Sequence, residues 1–366
     1  ADETDPASYD FAFTDILLEN IMKQGTMPFF RLGTTIENYH RIKAYHIYPP
    51  KDNLKWAKIC EGIINHYNHG WANGFHYNIV YWEIWNEPDL DKEDAKNKRT
   101  WGGTVKQFYE FYEMVATYLK ECFPNLKIGG PASAYREDWI EGFLKYLSRG
   151  DKKVPLDFFS WHCYGFTPEK IFGRSQWVRN KLDKYGYTDT ESILNEWNYV
   201  KSWEEFVYSV KQVISIKGAA FSAACMCGCQ NDTSVDMLMY YDARPCAYNG
   251  LFDFYTYAPL KGYYPFKMFG TLYKLGNGCK CVSDNKNIYA AAAKSETEKA
   301  VMISYYTDND NCSEILDVSL DFIGCSENFE IYLLDSDNDS EFVGMVENGS
   351  VISLAPNTVC LLKSVN

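Results

Sequence analysis

Two glutamates, far apart in the chain, stand in nearly the same local setting. Residues 79–90 read IVYWEIWNEPDL, an apolar and aromatic run that stops at Asn86, Glu87 and Pro88. A β-branched and aromatic run of that length predicts a buried strand, and Pro88, which has no N–H to give to a ladder, ends it. Residues 192–198 read SILNEWN, a second short apolar run closing on Asn195, Glu196 and Trp197. Each acid is thereby expected at the C-terminal tip of a core strand. Two carboxyl groups so placed are the parts needed to break a glycosidic bond: one protonates the leaving oxygen, the other attacks the sugar or activates water. Either glutamate alone has a plainer reading, a charge favoured near a helix N-terminus. The pair, with Asn86 and the neighbouring tryptophans, carries the chemistry.

Other side chains gather around these two. Residues 157–164 (DFFSWHCY) predict a strand on which Ser160, His162 and Tyr164 alternate onto one face. That face reads either as a core histidine with a satisfied hydrogen bond or as sugar-hydroxyl donors that also steady the nucleophile. Trp101, in RTWGG after the Glu87 strand, is a sugar platform or loop packing. Cys225, Cys227 and Cys229 invite a metal reading, because alternation along a strand would put three thiols on one face. The C-x-C-x-C spacing lacks the two-residue gaps of zinc sites, so small core fillers are expected instead. Asp242 and Arg244 read as a plain ion pair or as groups at the rim of a site that sense substrate polarity.

The elements that must position these residues follow from hydrophobic period. Helices are predicted over 11–24, 52–66, 104–123, 138–147, 176–185, 204–216 and 263–275. Strands are predicted over 28–33, the run ending at Glu87, 126–130, 157–164, 192–198 and 219–227. Strand and helix alternate, so a parallel sheet with helical crossovers follows, and a TIM-type (β/α)8 barrel is its natural closed form at this length. From about Asn277 the pattern changes to short runs over 279–283, 288–294, 300–306, 315–322, 329–334, 351–354 and 359–363, separated by Asp, Asn, Ser and Gly. That pattern predicts an antiparallel β-sandwich. The division expected is a catalytic β/α barrel over 1–276 and an accessory β-sandwich over 277–366. Six barrel-type strands are visible where a closed barrel needs eight. The expectation is that the first two lie upstream of Ala1 or that the barrel is completed unusually.

Composition excludes several classes of function. The formal net charge of −13 over 366 residues argues against nucleic acid or an anionic membrane surface as partner, since both require basic patches. There is no run of 18 apolar residues, hence no predicted membrane-spanning helix. The chain opens ADETDPASYD, without a charged-then-apolar leader, and its 12 cysteines form no regular framework. Both features lead to an expected cytoplasmic, reducing location. Aromatics at 17% suit stacking on flat apolar ligand faces, and they equally fill cores. Nothing in the sequence decides between a monomer and a homo-oligomer.

With WEIWNEPDL, SWHCY and LNEWN in that order on successive strands, the chain resembles glycoside hydrolase family 39, which includes β-xylosidases and α-L-iduronidases. NLKIGGPAS, WIEGFLKYL, VPLDFFSWHCY and KGYYPFKMFGTLYKLG extend the resemblance over most of the chain. The resemblance implies a retaining enzyme acting on an oligosaccharide or glycoside by double displacement. Glu87 would be the general acid/base, Glu196 the nucleophile, and Asn86 the partner of the sugar 2-hydroxyl, with no metal or organic cofactor. Retention requires the two carboxyls roughly 5–5.5 Å apart. His162, Tyr164, Trp101 and Trp197 are the further substrate-binding candidates. The sequence departs from the family in two places. Arg31 stands where an acidic residue is usual, and an Arg31–Glu83 pair is expected to accommodate it. The family's tryptophan floor at the end of strand eight has no aromatic counterpart in SAACMCGCQND, so Trp197 or residues 237–245 (MLMYYDARP) must build it. The sugar is therefore open: xyloside first, then galactoside, arabinoside or uronide, with an inactive carbohydrate-binding barrel as the reading of another class.

Overall fold

The computed structural model describes residues 2–33, 47–232, 234–245 and 250–365. The chain forms two compact units, one of Ala1–His162 and Val178–Ile193, the other of Cys163–Trp177 and Leu194–Asn366. The elements alternate as the period predicts: α1 (Ala12–Lys23), β1 (Phe29–Leu32), α2 (Asn53–His69), β2 (Tyr81–Ile84), α3 (Val105–Cys122), β3 (Lys127–Ser133) and α4 (Glu137–Leu147). They are followed by β4 (Phe158–Gly165), α5 (Pro168–Lys184), β5 (Glu191–Tyr199), α6 (Phe206–Val213), α7 (Ile216–Asn231), β6 (Met237–Leu238) and α8 (Tyr263–Leu275).

In the first unit β1 pairs with β2, β2 with β3, and β3 with β4, all in parallel. Local signals set the helix ends. The Asp52 side chain accepts from the Lys55 N–H to start α2, and Gly70, at φ +74°, ends it. Thr104 and Gln107 close a reciprocal capping box on α3. The buried faces of α3 and α4 then meet through rings: Tyr112 lies 4.9 Å from Phe143, edge to face, and Phe108 lies 5.5 Å from Trp139. β3 can pass close to β2 only because Gly130, at φ +139°, has no Cβ; one there would lie 2.7 Å from the Ile84 carbonyl oxygen. The expected Arg31–Glu83 pair is present, with Arg31 Nε donating to Glu83 Oε2 at 2.5 Å. The parallel register sets these two residues side by side.

In the second unit Val200 N–H donates to Gly165 O at 2.8 Å, and the N–H groups of Met239 and Tyr241 donate to Leu194 O and Trp197 O. The ends of β4 and β5 and the short β6 thus lie together. Beyond α8 the strands are β7 (Asn277–Cys279), β8 (Ile288–Lys294), β9 (Lys299–Tyr305), β10 (Leu316–Ser319), β11 (Phe329–Leu334), β12 (Asp339–Val346), β13 (Val351–Leu354) and β14 (Thr358–Ser364). They form a six-stranded sheet in the order β12-β11-β14-β9-β8-β7 and a two-stranded sheet β10-β13. All of their pairings are antiparallel. Ile303, Tyr305, Phe329, Leu354, Cys360 and Leu362 form the core between them. The protein is an α/β fold built on parallel strands, with antiparallel sheets from Asn277 on.

One predicted strand is a helix. Residues 219–227 lie inside α7, which starts at Ser215, whose side chain accepts from the Lys217 N–H. An apolar run covered on all sides carries no period, and its length of 16 residues favours the helix over the strand. α7 packs against β8 and β9. The three thiols therefore do not share a strand face: Cys225 and Cys229 sit one turn apart, while Cys227 points elsewhere. All three are buried and free. Burial pushes the Cys229 thiol up to about 12, so these are inert fillers. The strand that follows Glu196 in the chain is instead β6, and the aromatics beside it are Tyr240 and Tyr241. No single helix among the described residues is long and apolar enough to cross a membrane.

Candidate active site

β2 ends at Ile84, and the next three residues turn sharply. Trp85 adopts φ +75° and Glu87 φ +48°, left-handed conformations that side chains other than glycine take at a cost of about 1–3 kcal/mol. Neighbouring strands hold the turn in place. Trp85 N–H donates to Leu32 O at 2.7 Å, and Glu87 N–H donates to Ala132 O at 2.9 Å. The Thr100 hydroxyl donates to the Glu87 carbonyl at 2.6 Å. Ala132, itself at φ +54°, donates its N–H to Ser160 Oγ at 2.8 Å. The backbone of Glu87 is thus held by residues from β3, from the loop before α3 and, through Ala132, from β4, and within the turn by the Leu90 N–H, which donates to its carbonyl at 3.0 Å.

The Glu87 side chain is nearly buried, and its Oε1 lies 2.8 Å from His162 Nδ1, which donates when that nitrogen carries the proton. His162 therefore supports Glu87, a contact the sequence did not predict. Strand alternation puts Ser160 and His162 on one face as expected, and Ser160 serves the backbone rather than a ligand. Asn86 is buried beside Glu87, and its Oδ1 meets no hydrogen-bond partner among the described residues. A buried amide oxygen left so costs about 1–3 kcal/mol.

Asp89, which sequence reasoning passed over, anchors this turn. Its fully buried carboxylate accepts from the N–H groups of Ala134, Tyr135 and Arg136 at 2.7, 2.9 and 2.9 Å, at the N-terminus of α4. Burial pushes the carboxyl above the usual range, and the three N–H bonds pull it part of the way back. Asp89→Ala leaves three backbone donors without their acceptor, for an expected loss of about 3 kcal/mol of stability. Urea unfolding monitored by circular dichroism checks it; an unshifted midpoint would remove the anchoring role.

In the second unit Glu196 is half-buried near the end of β5 and accepts from the Tyr164 hydroxyl at 2.9 Å. Trp197 points to the opposite face of β5 and is fully buried, packed edge-on against Tyr240 with centroids 5.4 Å apart. It presents no face for a sugar to lie on. Trp101 behaves similarly in the first unit: it is 4% exposed, edge-on to Trp85 and Phe108, with its indole N–H donating to Thr104 O. For both tryptophans the residue type signals aromatic function, and burial shows packing. Asp242 and Arg244 do pair, Nη2 to Oδ2 at 2.7 Å.

Over 166 residues the chain is 28% identical to a β-xylosidase of Geobacillus stearothermophilus, a match covering 43% of this chain and 31% of that protein. A β-xylosidase of Caldicellulosiruptor saccharolyticus matches at the same identity, again over 31% of its length. The chain thus spans less than a third of the curated relatives it matches. Among solved structures, a glucosidase from Croceicoccus marinus aligns with a TM-score of 0.78 and 25% identity, covering 100% of this chain and 84% of that one. A monomeric β-xylosidase from Caulobacter crescentus shares the fold, with a TM-score of 0.71 and 18% identity over 97% of this chain and 84% of that one. The profile of glycosyl hydrolases family 39 matches residues 2–196, more than half of the sequence and through the Glu196 motif. The chain belongs to glycosyl hydrolases family 39.

Proposed function

We propose that this protein is a retaining, β-xylosidase-like glycoside hydrolase in which Glu87 is the general acid/base and Glu196 the nucleophile. The observation that carries the reading is the pair of supports on β4. His162 bonds Glu87 in the first unit, and Tyr164 bonds Glu196 in the second. In parallel α/β folds of this kind the reacting groups gather beyond the C-terminal ends of the strands, and the strands here are inferred to belong to a (β/α)8-type barrel.

In the first step Glu196 attacks the anomeric carbon while Glu87 gives its proton to the departing oxygen. In the second, Glu87 takes a proton from water, which displaces Glu196 from the sugar. Asn86, with its unpartnered oxygen, holds a hydroxyl of the same ring. No step calls on a metal or an organic cofactor. Acting on a neutral glycan also agrees with the acidic surface, and the scattered thiols suit a cytoplasmic setting.

The β-xylosidase relatives favour a xyloside, and the Croceicoccus glucosidase makes a glucoside the second reading. Nitrophenyl xyloside, glucoside, galactoside and arabinoside separate these by initial rate. A 2-fluoro glycoside of the best sugar should label Glu196, as read by peptide mass spectrometry. Turnover of none of them, with no adduct, would leave a carbohydrate-binding protein.

A further inference from the structure

Trp203 is 61% exposed, yet it is not a loose surface side chain. Its ring stands edge-on to Tyr164, with centroids 5.6 Å apart, and is stacked on Phe206 at 6.2 Å. The backbone that carries it is pinned on both sides. Lys201 N–H donates to Ser209 Oγ and Glu205 N–H to Ser202 Oγ, each at 3.0 Å. Just upstream, Tyr199 donates its hydroxyl to Asp308 Oδ1 at 2.7 Å, and the Lys201 ammonium bonds the other oxygen of Asp308. Lys217, buried on α7, reaches the Asp308 carbonyl at 2.8 Å and completes the brace. Fixing a large apolar ring in the open has no folding benefit that a polar residue would not match. It is the arrangement expected of a ring kept ready for a flat ligand face.

The other face of the same Tyr164 brace leads to Glu196, since the Tyr164 hydroxyl donates to its carboxylate at 2.9 Å. Trp203 therefore stands beside the tyrosine that bonds the proposed nucleophile. We propose that Trp203, braced by Tyr164 and Phe206, is the stacking platform for the sugar unit adjacent to the one whose bond is cleaved, and so selects oligosaccharides over short glycosides. The C–H face of a pyranose supplies the apolar surface that lies on the indole. This rests on the hydrolase reading above.

The test compares Trp203→Ala and Trp203→Phe with the unmodified chain on xylotriose and on nitrophenyl xyloside. The expected result is at least a tenfold larger fall in kcat/KM for the trisaccharide than for the nitrophenyl glycoside in Trp203→Ala, carried mainly by KM. Trp203→Phe, which keeps a ring, should recover part of it. Equal losses on the two substrates, or none on the trisaccharide, overturn the platform. If the unmodified chain hydrolyses neither substrate nor any of the other nitrophenyl glycosides, the hydrolase reading fails by itself. Calorimetric titration with xylotriose then decides the platform: weaker binding by Trp203→Ala supports it, equal or absent binding by both proteins overturns it.

Discussion

Glu196→Ala is expected to lower kcat by at least about 10⁴-fold on the best glycoside, the scale of loss when a covalent nucleophile is deleted. In the proposed double displacement the substitution removes the atom that would form the glycosyl-enzyme bond, and no neighbour on β5 can replace it. Asn195 and Trp197 point to the opposite face, and Asn198 donates its amide to Tyr241 O. The change is mild for the fold, because Glu196 is half-buried and its partner Tyr164 is half-exposed, so the phenol that loses an acceptor can bond water. An unaltered melting temperature should therefore accompany the lost turnover. The 2-fluoro adduct should disappear in the same variant. Turnover kept within tenfold of the unmodified chain would remove Glu196 from the mechanism, and with it the double displacement.

How much of this was legible in the sequence depended on how local each signal is. The Asn-Glu turns could be read because an apolar run followed by Pro88 or by a polar break has few structural solutions. The Arg31–Glu83 pair was readable for a similar reason: one charge in each of two adjacent buried strands, in parallel register, must meet. α7 was not readable as a helix, since a segment buried all round shows neither a 3.6 nor a 2.0 period. Of the two places the sequence offered for an aromatic floor, Trp197 is buried, and residues 237–245 carry Tyr240 and Tyr241 just after β6. β12 went unnoticed because it is an edge strand with most of its residues exposed, so few of its positions must be apolar. The supports of Glu87 were invisible for another reason. Thr100, Ala132 and Asp89 act through contacts of 13 to 47 residues in sequence separation that only the packed strands create. Trp101, Trp197 and Trp203 are the same residue type, and only exposure separates the two that fill space from the one left open.

For Glu87→Ala the size of the loss should depend on the leaving group. A glycoside whose departing alcohol is poorly acidic, such as xylobiose, needs its oxygen protonated as the bond breaks, and should lose about 10³–10⁴-fold in kcat/KM. A dinitrophenyl xyloside leaves without help, so its first step should fall by less than about tenfold. Its steady-state kcat should still drop, because the second step lacks the base that activates water, and the glycosyl-enzyme should then accumulate as a burst of dinitrophenol. Added azide needs no deprotonation, so it should restore turnover and release a glycosyl azide of retained configuration. His162→Ala should give the same pattern in weaker form, since it removes the imidazole held 2.8 Å from the Glu87 carboxyl and leaves the nucleophile's own partner, Tyr164, in place. The contrast between the two substrates matters more than either loss alone, because a merely misfolded variant would slow both alike. Equal losses on xylobiose and dinitrophenyl xyloside, with no burst and no response to azide, would take the acid/base role away from Glu87 and leave the turn at residues 85–89 a structural feature only.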